Sequence, residues 1–213
     1  MWNFQIFILA IPVLLFALTI HEFSHGLVAY LLGDPTPKRA GRLTLNPLKH
    51  LDLLGTLTLF LTQAIGWAKP VQINPNYFKN PWRDMALTSA AGPLSNFLSA
   101  ILFAFFYHFF NLFPIQFGDF KISEPLMVLS LIGVKINLGL ALFNLLPIPP
   151  LDGSKVLVKF LPSHLREDYL KLELIGFLVI LILAITGLLE KTLYPLLKFF
   201  SNIVLEITFL PFR

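Results

Sequence analysis

The stretch FQIFILAIPVLLFALTIHEFSHGLVAYLL, residues 4–32, decides the reading of this chain. An apolar run from Phe4 to Leu18 continues, past a polar cluster, into Leu27 to Leu32. As one helix it is about 43 Å long, enough to cross a hydrocarbon core of about 30 Å and protrude. No Lys or Arg precedes the run and no small-residue cleavage site follows it, so it does not read as a secretory signal. Inside it stands His21-Glu22-Phe23-Ser24-His25, and Glu22 is the only charged side chain between Met1 and Gly33. A charge within a membrane helix costs at least about 2.5 kcal/mol, so an ionisable residue there marks a functional site. Residues four apart share a helix face, which lets both imidazoles ligate one metal while Glu22 reaches an adjacent water. If the helix enters at Phe4 from outside, His21 lies about 26 Å along it, close to the inner face.

The rest of the composition agrees. Of 213 residues, 56% are hydrophobic and 13% charged, which excludes an ordinary soluble domain, where about a quarter are charged. The chain reads as a single membrane-embedded domain over residues 1–213, with a core at 5–160 and a C-terminal span and interfacial tail at 170–213. The absence of cysteine excludes a disulfide scaffold, a thiolate zinc site and a cysteine nucleophile, so any metal must use His and carboxylate. The net charge of +4 comes from 16 scattered basic residues without a basic-aromatic stripe, so nucleic acid is not an expected partner.

Membrane topology accounts for those basic residues. Further spans are expected at 85–113, 126–146 and 174–189. The segment 51–65 is short and carries Asp52 and Gln63. If it dips in and returns, Lys38, Arg39, Arg42, Lys49, Lys69, Lys79 and Arg83 all lie on the cytoplasmic side, together with Lys155, Lys159, Arg166 and Lys171. Only Lys121 then occupies the external loop 114–124, a strong positive-inside bias that a full crossing would destroy. The expected fold is an all-α polytopic membrane protein with about four transmembrane helices, a re-entrant segment, and short extended pieces near the site at 41–46 and 71–73. The expected location is a prokaryotic plasma membrane, with the site near its cytoplasmic side and the lipid bilayer as its surroundings.

Two histidines do not complete a catalytic zinc site, which usually has three protein ligands. The candidate third is Asp152, after the break Asn144-Leu145-Leu146-Pro147-Ile148-Pro149-Pro150-Leu151-Asp152-Gly153, where prolines unwind the helix. An Asp-Gly pair is equally a common turn. In Ser89-Ala90-Ala91-Gly92-Pro93-Leu94-Ser95-Asn96, small residues permit close helix packing, and Asn96 reads either as a bond across that interface or as a substrate contact. Asn144 carries the same two readings. Lys135, mid-span, can snorkel, pair with a carboxylate or line a wet cavity. His50, His108 and His164 lack a partner at ligand spacing and are left out of the site.

With these residues in view, the chain resembles the site-2 protease family of intramembrane zinc metalloproteases. Three matches carry the resemblance: the His21 to His25 helix, the Gly92 to Asn96 segment and the Asn144 to Gly153 break, in family order, within residues 5–160. The resemblance implies one zinc per chain held by His21, His25 and Asp152. It also implies Glu22 as general base toward a zinc-activated water, and Asn96 and Asn144 near the substrate strand. It implies transmembrane proteins as substrates, cut in or near their membrane segments. No span precedes the metal helix and no room exists for PDZ or CBS domains, which is most similar to a compact prokaryotic subgroup. Oligomeric state is not read from the sequence. Two other readings use the same residues: a divalent-metal transport protein, and a catalytically inactive membrane scaffold.

Overall fold

A computed structural model describes residues 4–62 and 66–210. Its elements are α1 (Phe4–Leu31), α2 (Thr36–Arg39), α3 (Leu53–Thr62), α4 (Pro81–Leu112), the strands β1 (Gln116–Phe117) and β2 (Phe120–Lys121), α5 (Ser123–Asn144), α6 (Asp152–Val158), α7 (Ser163–Leu170), α8 (Glu173–Ile185) and α9 (Leu188–Phe209). The chain is an all-α polytopic membrane protein. α1, α4 and α5 are each long and apolar enough to cross a bilayer.

These three helices pack on one another, and small residues make that possible. Ala17, Ala100 and Ala104 are fully buried, and Phe103 rests against Gly133, where α5 offers no side chain. Ala10, Val13 and Ile132 form one apolar cluster, and Ala100, Ala104, Val134, Leu138 and Val204 form a second. α4 starts sharply: the Asn80 side chain accepts from the Arg83 N–H, while the Asn80 N–H donates to Asp84 Oδ2 at 3.0 Å. That reciprocal pair satisfies N-terminal groups that would otherwise be orphaned, and the Asp84 carboxylate complements the helix dipole.

The segment after α2 enters and returns at one end of the bundle. α3 has ten residues, about 15 Å of rise, against a core of about 30 Å. Phe60 meets Phe7 edge to face at 5.9 Å, so α3 runs along α1 toward that helix's beginning. The chain then comes back along α3, where Trp67 passes against Gly55, and Ala68 bridges to Leu51 while the Lys69 N–H donates to the His50 carbonyl at 2.8 Å. Gln63 and the end of the expected 51–65 segment lie outside the described residues.

Three expectations are revised. The final span, expected at 174–189, is broken: α8 ends at Ile185 and the chain bends by 81° before α9, the two together qualifying as a fourth span. Gly187 makes this turn, at φ 70°, a left-handed backbone that glycine adopts without a Cβ clash. With 13 residues α8 rises only about 20 Å, short of a bilayer core. The C-terminal tail, expected along the interface, is the helix α9 packed on α4 and α5. Leu197, Phe200 and Val204, spaced by three and four, present one apolar face to the bundle. Among the described residues, neither 41–46 nor 71–73 forms a strand ladder near the site. The paired strands, β1 with β2, sit in the α4–α5 loop, and in 71–73 the Val71 N–H goes to the Glu22 side chain instead.

Candidate metal centre

Helical spacing sets His21 and His25 one turn apart on α1, with ring centroids 4.6 Å apart, and both are nearly buried. Their Nε2 atoms lie 3.0 Å from each other. Asp152 joins them from α6, its Oδ2 at 3.2 Å from His21 Nε2 and 3.1 Å from His25 Nε2. The proline break puts it there. α5 ends at Asn144, the chain turns through Pro147–Pro150, and Gly153 packs against the Leu145 backbone, where a side chain would collide. The Tyr169 hydroxyl on α7 donates to the Pro147 carbonyl at 2.6 Å, and burial pushes its phenol pKa up.

The opposite edge of each imidazole is engaged. His25 Nδ1 lies 2.7 Å from the Thr88 carbonyl, which can only accept, so His25 carries its proton on Nδ1. His21 Nδ1 lies 2.6 Å from Asn96 Oδ1. In neutral imidazoles protonated at those Nδ1 atoms, both Nε2 lone pairs face one another and a carboxylate oxygen. Three such acceptors within 3.2 Å repel unless a cation sits among them, and two imidazoles with a carboxylate match a three-ligand catalytic zinc set. Among the described residues this is the one cluster of three His, Cys, Asp or Glu groups able to hold a metal.

Gly92 leaves the room. A Cβ there would run into His25 Nε2 and stand 2.7 Å from His21 Cε1, so α4 passes the imidazoles only because this position is glycine. Glu22 faces the same cavity of about 160 Å³, with Asn144, Ser89, Val71 and Lys155. Its Oε2 accepts from the Val71 N–H at 2.9 Å. The 71–74 segment is pinned again at Asn74, whose N–H donates to Asp34 Oδ2 at 2.7 Å, while Asp34 Oδ1 accepts from Thr36 N–H at 2.9 Å.

Of the residues singled out by sequence, His21, His25 and Asp152 are brought together and Glu22 stands beside them. Asn144 lines the cavity and donates to the Leu140 carbonyl at 3.0 Å. Asn96 is fully buried behind His21, with its amide spent on Ala17, Asn137 and His21. Lys135 is exposed on α5, away from the site. Sequence reasoning gave no role to Asp34 or Thr88, and none at the site to Lys155. Thr88 acts through its carbonyl, which no residue type advertises, and Asp34 through a contact forty residues away.

Comparison with known proteins places the chain. The profile of peptidase family M50 matches residues 7–187, and the chain belongs to that family. A Bacillus subtilis protein named "Putative zinc metalloprotease YwhC" is 39% identical over 194 residues, covering 91% of this chain and 88% of the relative. "Putative zinc metalloprotease Rip2" of Mycolicibacterium smegmatis is 29% identical over 201 residues, covering 92% and 74%. "Putative zinc metalloprotease MJ0611" of Methanocaldococcus jannaschii is 46% identical over 67 residues, 32% of this chain and 30% of that protein. No solved structure matches. Family and relatives together support a zinc metalloprotease with membrane helices.

Proposed function

We propose that this protein is a zinc-dependent intramembrane endopeptidase, cutting transmembrane proteins in or near their membrane segments with one zinc per chain at His21, His25 and Asp152. The observation that carries the reading is the convergence of those three donors, with Glu22 beside them, on a helix apolar enough to span a bilayer. When bound, zinc supplies Lewis acidity and a water acidic enough to lose its proton near neutral pH. Glu22 takes that proton and returns it to the leaving amine. The Val71 N–H holds the Glu22 carboxylate at the cavity. Asn144, in the cavity wall, is suited to contact the substrate strand.

A helical substrate must unwind before a peptide bond is accessible, and its freed backbone groups need partners. Residues 70–73 can supply them. Among the described residues the backbone groups of Gln72 and Ile73 make no hydrogen bond, so an unwound substrate can pair there by strand addition. One turn of α1 away opens a larger apolar cavity of about 780 Å³, bounded by Leu14 and Leu18, by Gly55 and Leu59 of α3, and by Leu140 of α5. Its size and lining suit the apolar side chains of a membrane segment. The distribution of Lys and Arg favours a cytoplasmic-side site, and the bacterial and archaeal relatives favour a prokaryotic plasma membrane.

The test compares membrane-protein fragments in cells carrying wild type or Glu22→Gln by terminal-peptide mass spectrometry, together with zinc content of the purified proteins. Expected are intramembrane-cut fragments with wild type only, loss of activity by about 10²- to 10⁴-fold in the variant, and unchanged zinc. Equal fragments in both strains would reject the enzyme reading.

A further inference from the structure

Behind the metal centre runs a line of buried amides whose direction is fixed at both ends. Asn96 Nδ2 lies 3.0 Å from the Ala17 carbonyl and 3.0 Å from Asn137 Oδ1. Asn137 Nδ2 lies 2.9 Å from the Gly133 carbonyl. A backbone carbonyl only accepts, so Gly133 fixes which end of the Asn137 amide is nitrogen and Ala17 does the same for Asn96. Asn137 must then present its oxygen to Asn96, and Asn96 its oxygen to His21 Nδ1. Both asparagines are fully buried, so water offers neither an alternative partner.

We propose that Asn137 is a positioning residue for the metal centre: by accepting from Asn96 it locks the Asn96 amide so that His21 is held in the Nδ1–H form, with Nε2 bare for the metal. Without the Asn137 acceptor, one Asn96 N–H is buried and unpaired, and the Ala17 carbonyl alone is left to oppose a rotation of the amide that would turn an N–H toward His21 Nδ1. His21 would then favour the Nε2–H tautomer, which cannot ligate. α5 thus controls a ligand on α1 that it does not touch, through α4. The inference rests on the metal site proposed above, and its test reads metal binding without activity.

Zinc affinity and the visible absorption of the cobalt-substituted protein are measured on the full chain in detergent for wild type, Asn137→Leu, Asn137→Asp and Leu138→Ala. Asn137→Leu is expected to weaken zinc by about tenfold and to shift the cobalt bands, on the scale of other outer partners of metal-bound histidines. Asn137→Asp, neutral when so buried, keeps an O–H donor for the Gly133 carbonyl and an oxygen acceptor for Asn96, and retains affinity within about threefold of wild type. Leu138→Ala opens the neighbouring fully buried core position and lowers thermal stability without moving zinc affinity. Wild-type affinity in Asn137→Leu, or equal losses in Asn137→Leu and Leu138→Ala, overturns the proposal. Should the leucine variant fail to fold, ¹⁵N-histidine spectra of the metal-free wild type decide: a His21 Nδ1–H tautomer supports the proposal and an Nε2–H tautomer overturns it. Failure of wild type itself to bind zinc would sink the proposed function instead, a separate outcome.

Discussion

The two cavities beside α1 are built on opposite plans. Around His21, His25 and Asp152, ring nitrogens and amides have assigned partners at 2.6 to 3.2 Å, drawn from α1, α4, α5 and α6. One turn away, the cavity between α1, α3 and α5 is mostly apolar, with Thr56 and Glu190 among its lining, and Leu53, Leu54, Leu57 and Phe60 of α3 are exposed. The physical reason is the task of each. A metal ligand must be held to a fraction of an ångström, and in low dielectric that demands directional bonds with no polar atom left over. A surface that receives varied apolar segments gains from area and tolerates rearrangement, so it needs no fixed partner. Substitutions in the first cavity should therefore appear in metal affinity, and those in the second in cleavage alone.

The largest effect is expected for Asp152→Ala, which removes one of the three proposed ligands and leaves two imidazoles. Zinc affinity should fall by well over the roughly 100-fold that loss of an outer partner can cost, measured by competition with a chromophoric chelator. Near-normal binding would break the contrast at its strong end. Next is Gly92→Ala. The new methyl displaces both imidazoles, so zinc affinity should drop by about 10- to 100-fold and stability by about 1–3 kcal/mol in thermal unfolding. Retained affinity would mean that α4 yields where close packing says it cannot. The smallest is Leu14→Trp, which fills part of the apolar cavity. Cleavage of a membrane substrate should slow by about tenfold, with zinc content unchanged. A parallel loss of zinc would show the two cavities to be coupled, and the contrast drawn above would need redrawing.

The centre of this molecule was unusually legible. An apolar run carrying a single glutamate between two histidines one turn apart states both the membrane span and the helix face on which the two imidazoles meet, because helix period and insertion cost are local properties. The proline break named Asp152 only as a candidate; that it returns to α1 depends on how α6 folds back across 127 residues of chain separation. The C-terminal region was legible only in part, for a related reason. An apolar stretch at 174–189 has span-like composition, yet Gly187 turns the chain, and the helix that packs on α4 and α5 begins after it. Composition carries no information about where a helix bends. Asn96 carried two readings from sequence, and its buried position behind His21 favours holding that ring over meeting a substrate.

What the sequence by itself determined was the solvent of the fold, its helical class, and the chemical kind of its centre, two imidazoles with a carboxylate and no thiolate. These follow from hydropathy, period and residue type, which need no tertiary contact. Only the tertiary structure decided which atoms of those residues face one another. The Thr88 carbonyl and the Asn96 amide, itself bonded to Asn137, meet the Nδ1 edges of the two histidines, Gly92 clears their space, and Val71 bonds Glu22. Each of those choices is a directional contact between segments distant in the chain, and a direction in space is not encoded in any local stretch.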